Sequence, residues 1–204
     1  VILESGVDDL PRLEETQHQK LVLGGLNEGL ADILAVGMMS DPSFMVRAFG
    51  APPLELTADK RDLEGEFATT VTYGGLLAGE HEGFCGDPMP PADTPADAPK
   101  VAFSDYCLGV LAANVLWETS GRDAETLRHV VNPAVVASMR GLAARIVAAN
   151  ADKVEDDPMT FDIVMYLDAT AEALPEGELR SRFCALAEER FAAALTDTDI
   201  PFCR

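Results

Sequence analysis

Apolar residues recur at three- and four-residue spacing through the second half of the chain. The pattern predicts four helices, over Val101 to Glu118, Pro133 to Asn150, Thr160 to Leu174 and Glu176 to Leu195. Their ends carry matching punctuation. Asn132 reads as an N-cap ahead of a first-turn Pro133, Gly121 follows the helix through Trp117, and Pro175 separates the last two. Nearer the front, a helix is expected from Asn27 to Met39 after a break at Gly24-Gly25, and a short one from Asp41-Pro42 through Ala48. Between Gly50 and Lys100 the periodicity fades. Thr69 to Tyr73 reads as a short extended piece, and Gly83 to Pro99, crowded with proline, as a long surface loop of residues 83–99. No internal repeat is present. The expected fold is mainly α, a helical bundle in a single domain over residues 1–204 with a long Pro/Gly-rich loop.

Composition sharpens this picture. A chain of 204 residues with 48% hydrophobic content can close one sizeable core. With 15 Lys and Arg against 35 Asp and Glu, the formal charge is -20. Such a surface repels phosphate backbones and anionic lipid, which argues against nucleic acid as a partner and suits cations or a basic partner. No uninterrupted apolar run approaches the roughly 20 residues that span a bilayer. Even Val101 to Trp117 contains Ser104, Asp105 and Asn114. The reading is therefore a protein without a membrane partner. The first residues, Val1-Ile2-Leu3-Glu4-Ser5, show no initiator Met and no basic leader, as expected of an internal starting point in a longer precursor.

Cys85, Cys107, Cys184 and Cys203 form no CxxC pair and have no histidine at zinc-finger spacing. Two arrangements stay open. Sequence-local disulfides, Cys85 with Cys107 and Cys184 with Cys203, would place the protein in a secreted or other extracytoplasmic setting. Four reduced, buried thiols would suit the cytosol.

The segment richest in chemistry is Gly24-Gly25-Leu26-Asn27-Glu28-Gly29-Leu30-Ala31-Asp32-Ile33, which sets two carboxylates four apart on one helix face. It resembles the segment by which thermolysin-like and fungalysin-like zinc metallopeptidases, the gluzincins, supply their third metal ligand. The resemblance implies that Glu28 binds zinc, that Asp32 holds a zinc-bound histidine from behind, and that Asn27 fills the family's Asn position. Gly29 would keep the helix surface low where substrate or a partner helix approaches. The apolar helix ending in Leu116-Trp117-Glu118 is similar to the family helix that carries a further active-site histidine, at whose place Tyr106 stands here. Tyr106, held by Asp105, would then donate to the oxyanion of a tetrahedral intermediate. Phe161 and Asp162, opening one late helix, and Arg182 to Phe191, closing the next, are similar to the family's C-terminal bundle.

The departure is that HExxH, which supplies two zinc ligands and the water-activating glutamate, occurs nowhere in the chain. His18, His81 and His129 all lie outside such a motif. Zinc, a peptide or protein substrate, and an N-terminal peptidase portion carrying HExxH are thus implied together. The chain alone is expected not to hydrolyse peptides. The alternative is a non-catalytic helical binding domain or pseudo-peptidase, for which the acidic stretch Asp152, Glu155, Asp156 and Asp157 suggests a partner or a calcium ion. Gly-x-Ser-x-Gly, Walker and dinucleotide-binding patterns do not occur.

Overall fold

The computed structural model describes residues 14–44, 61–81, 85, 104–196 and 199–204. Among them the chain is mainly helical. The helices are α1 (Gln17–Met39), α2 (Glu66–Thr70), α3 (Tyr73–Ala78), α4 (Asp105–Thr119), α5 (Asn132–Ala149), α6 (Ile163–Ala173) and α7 (Glu178–Arg190). No strand occurs among the described residues, and Glu14 and Pro158 make an isolated parallel bridge.

α4 is the axis of the molecule. Every residue from Cys107 to Trp117 on it is buried, and apart from Asn114, which donates to the Leu63 carbonyl at 2.8 Å, these residues are apolar on all sides, as a helix enclosed by others must be. α1 lies along it in the most extensive helix pair of the structure, with α7 against another side, while α5 and α6 form a second tight pair. Leu108, Leu111 and Leu116 are each at most 1% exposed. Burial of that kind stabilises the fold by about 1.5–3 kcal/mol per side chain.

The predicted break at Gly24-Gly25 does not exist. α1 starts ten residues earlier than expected, at Gln17, where Thr16 and Gln19 form a reciprocal capping box with bonds of 3.1 and 2.9 Å. The glycines sit mid-helix because another helix presses on them. A Cβ on Gly29 would lie 2.5 Å from the Gly109 carbonyl oxygen, and one on Gly25 would lie 2.8 Å from the Asp105 carbonyl oxygen. Gly25, Gly29 and Gly109 are small so that the α1 and α4 backbones can meet.

Other boundaries move for local reasons. Asn132 is not an N-cap, since a helical turn at Ala124–Thr126 and a π-helical turn at Leu127–Val131 run straight into α5. The true cap is Asp123, which accepts from the Thr126 amide at 2.8 Å. Thr69 to Tyr73 is extended only at Val71 and Thr72, between α2 and α3. α4 begins at Asp105 rather than Val101, α6 at Ile163 with Asp162 as its cap, and α7 ends at Arg190. The second half of the helix expected over Asp41 to Ala48, and all of the 83–99 loop except Cys85, lie outside the described residues.

Both sequence-local disulfides are formed, Cys85–Cys107 and Cys184–Cys203, with Cα atoms 5.7 and 5.5 Å apart, and no cysteine is free. That suits an oxidising, extracytoplasmic compartment. The reading that no segment is apolar enough for a bilayer needs correction. His18–Met39 and Ala124–Ala149 are each long and apolar enough to cross a membrane, because glycine and alanine spread their hydrophobic character over a window rather than an unbroken run. Here 56% and 50% of those windows are buried inside the protein, so both helices furnish core.

Scarce arginines close the helix ends. Arg190, 6% exposed, donates to the carbonyls of Ala68, Thr69 and Val71 at the end of α2. Arg128 donates to Gly37, Met38 and Ser40 at the end of α1, Arg180 to Glu172 and Leu174 at the end of α6, and Arg182 to Thr119 at the end of α4. Terminal carbonyls lack intrahelical donors and carry partial negative charge, which a guanidinium answers on both counts.

Candidate functional site

Glu28, Asp32 and Tyr106 do converge, and the group they converge on is Arg61. Asp32, 3% exposed, points from the middle of α1 toward the segment before α2. Arg61 donates from Nε to Asp32 Oδ2 at 3.0 Å and from Nη2 to Asp32 Oδ1. The same Nη2 lies 3.4 Å from Glu28 Oε2. The guanidinium sits 5.4 Å from the centroid of the Tyr106 ring, within cation–π range. Burial pushes the Asp32 carboxyl above the usual carboxylate range, and the hydrogen bonds and charge of Arg61 pull it back.

The remaining expected members stay outside this cluster. Asn27, one position before Glu28, is exposed. Asp105 accepts from the Tyr106 backbone amide at 3.0 Å, which makes it a first-turn acceptor of α4. The Tyr106 side chain is half exposed. As a donor set, Glu28 and Asp32 contribute two carboxylates and no imidazole, with a cation already between them. The described residues therefore do not fit a His2Glu zinc centre, and two imidazoles would have to come from other segments. Among the described residues no three His, Cys, Asp or Glu side chains gather as a metal-holding group.

The histidines are engaged separately. His129 Nε2 lies 3.2 Å from Glu125, and His81 packs edge-on against Phe67 with ring centroids 5.2 Å apart. His18 Nε2 lies 3.0 Å from the Tyr73 hydroxyl. In the acidic stretch, Asp157 accepts from the Val154 amide at 2.9 Å, and Lys153 bonds Pro158 and Thr160. The turn is organised by the fully buried Asn150, which accepts from the Thr160 amide at 2.7 Å and donates to the Thr160 carbonyl at 2.9 Å.

No family model, curated protein or solved structure matches the chain. Its chemistry is therefore read from its own geometry.

The decisive comparison is internal. Arg145 on α5 donates from Nη2 to Asp168 at 3.1 Å and to Glu172 at 2.7 Å, two acids four apart on α6, and its guanidinium lies 6.0 Å from the Phe202 ring. An arginine, an i, i+4 acid pair and an aromatic ring thus recur in a part of the molecule where nothing resembles a catalytic segment. Sequence reasoning missed both arginines. The available signal was that acid pairs on a buried helix face require a counter-cation, and basic residues are few.

A cleft also went unnoticed in the sequence. A cleft of about 210 Å³ opens where the start of α1, the start of α3 and the N-terminus of α6 meet, and His18, Gln19, Tyr73 and Asp162 carry its polar groups. Gln19 is committed to the Met159 and Phe161 carbonyls at 2.8 and 3.2 Å. Burial, reinforced by the charge of Asp162, pushes the Tyr73 hydroxyl up to about 12, so it keeps its proton. Desolvation holds the His18 imidazole below its ordinary value.

Proposed function

We propose that the chain is a non-catalytic, disulfide-stapled helical domain of an extracytoplasmic protein that binds a small ligand in the cleft beside His18. The observation that carries this is the repeated clamp. Because Arg61 with Glu28, Asp32 and Tyr106 has a counterpart in Arg145 with Asp168, Glu172 and Phe202, the first cluster reads as a fastening between separate segments rather than a reaction centre. A buried carboxylate with its guanidinium is a structural commitment, since either partner alone would be an uncompensated charge.

A second reading keeps the gluzincin resemblance, with the chain as the glutamate-donating helical lobe of a zinc peptidase. Glu28 favours it. Its side chain is 37% exposed and its 3.4 Å contact is the loosest in the cluster, so a metal brought by an HExxH segment could compete for it. Metal analysis of the protein purified from its native compartment, beside Glu28→Ala, separates the two. Equal zinc content in both supports the binding domain. One equivalent of zinc that Glu28→Ala removes supports the peptidase lobe.

A further inference from the structure

We propose that Cys184–Cys203 is a thiol-exchange site, a disulfide that a dithiol opens while Cys85–Cys107 stays closed, and that its opening frees residues 199–204 from α6. Such an exchange is independent of any ligand in the cleft beside His18.

Access separates the two bonds. Exchange begins when a thiolate attacks one sulfur of a disulfide, so it requires an approachable sulfur as well as a reagent. Cys85 and Cys107 are 2% and 0% exposed, and Cys107 lies on α4, the helix that the others enclose. Cys184, on α7, is 7% exposed. Cys203 is the one partly exposed member of the four, in a 3₁₀ turn at Pro201–Cys203 whose neighbours Phe202 and Arg204 are exposed. Attack therefore falls on the Cys203 Sγ. A reagent thiolate bonds to that sulfur, the Cys184–Cys203 bond breaks, and Cys184 leaves as a thiolate that takes a proton from solvent. The reagent's second thiol, deprotonated in turn, displaces Cys203, which is released and protonated. Two cysteine thiols result and the dithiol ends as its own disulfide. The reductant is thus of the class of a CxxC oxidoreductase or of dithiothreitol.

Little else ties residues 199–204 to the bundle. Ile200, 3% exposed, is the one buried side chain of that segment. The Phe202 amide donates to Asp168 Oδ1 at 3.0 Å, and its ring lies 6.0 Å from the Arg145 guanidinium. Arg204 pairs with Asp199 inside the same segment. Arg145 keeps its bonds to Asp168 and Glu172 whether or not the segment is docked, so release leaves α5 and α6 fastened.

The test treats the purified chain with dithiothreitol at pH 8, quenches with iodoacetamide at intervals and maps the alkylated cysteines by mass spectrometry. Cys184 and Cys203 are expected to react at least tenfold faster than Cys85 and Cys107. The circular dichroism spectrum should be unchanged when only the first pair has reacted. In that species, amide hydrogen exchange at Phe202 and Cys203 should rise tenfold or more, with α4 protection unaltered. The double variant Cys184→Ser with Cys203→Ser should show the same exchange pattern without reductant. Equal or faster opening of Cys85–Cys107, loss of helix in the reduced species or the double variant, or unchanged exchange at Phe202 and Cys203 in either overturns the proposal.

Discussion

Arg61 holds Asp32 by both carboxylate oxygens, Nε to Oδ2 at 3.0 Å and Nη2 to Oδ1, and so ties the middle of α1 to a segment 29 positions downstream. Asp32 is the buried partner, its side chain 4% exposed against 17% for Arg61. The geometry is bidentate, the fork-to-carboxylate match that lysine cannot reproduce.

Removing the guanidinium should therefore be costly. Arg61→Met is expected to destabilise the fold by roughly 3–5 kcal/mol, the usual loss when a buried pair is broken. Urea unfolding followed by circular dichroism measures it. Arg145→Met should cost less, because Glu172 is 48% exposed and can turn to water while Asp168 keeps the Phe202 amide as a partner at 3.0 Å. Adding Asp32→Leu to Arg61→Met should recover most of the loss. An Arg61→Met protein as stable as the parent would show that the clamp carries no net stability.

The helix crossing at Gly29 and Gly109 has no room for a methyl group, since a Cβ on Gly29 would stand 2.5 Å from a backbone oxygen. Alanine normally improves a helix interior by about 0.5–1 kcal/mol. Gly29→Ala should reverse that sign and destabilise by about 1–3 kcal/mol, the ordinary range for overpacking. Thermal denaturation of Gly29→Ala beside Ala31→Gly, an exposed position on the same helix, checks that steric pressure rather than propensity decides.

Stability should also depend on pH through His18. Desolvation depresses its folded-state pKa below the ordinary 6.5, so the unfolded chain takes up a proton more readily than the folded one. The associated stability is fully present above the ordinary value and is lost as pH falls through the depressed one. Melting temperature should thus drop between pH 7 and pH 5 by more in the parent than in His18→Gln. Parallel curves for parent and His18→Gln would remove the imidazole from the linkage.

Along the chain, the helices of the second half were legible because a buried helix face demands apolar residues every three or four positions, and α4 through α7 obey that rule. Their ends were less so. Asn132-Pro133 has the composition of a helix start, yet the turns at Ala124–Thr126 and Leu127–Val131 carry the helix through it. Gly24-Gly25 looked like a break for the same reason. Glycine is read as conformational freedom, whereas here its missing side chain serves close packing. Glu28, Asp32 and Tyr106 lie together around Arg61, a group that their spacing along the chain does not point to.

The sequence by itself determined the helical class and the acidic surface, each a matter of local spacing or composition, while the two short-range disulfides were one of two arrangements it allowed and were decided by the structure. Only the tertiary structure decided what Glu28 and Asp32 face, how α1 meets α4, and that His18, Tyr73 and Asp162 share one cleft. Those relations join residues from separate segments of the chain. Spacing along a helix specifies which side a group occupies, but the group that faces it is chosen by packing.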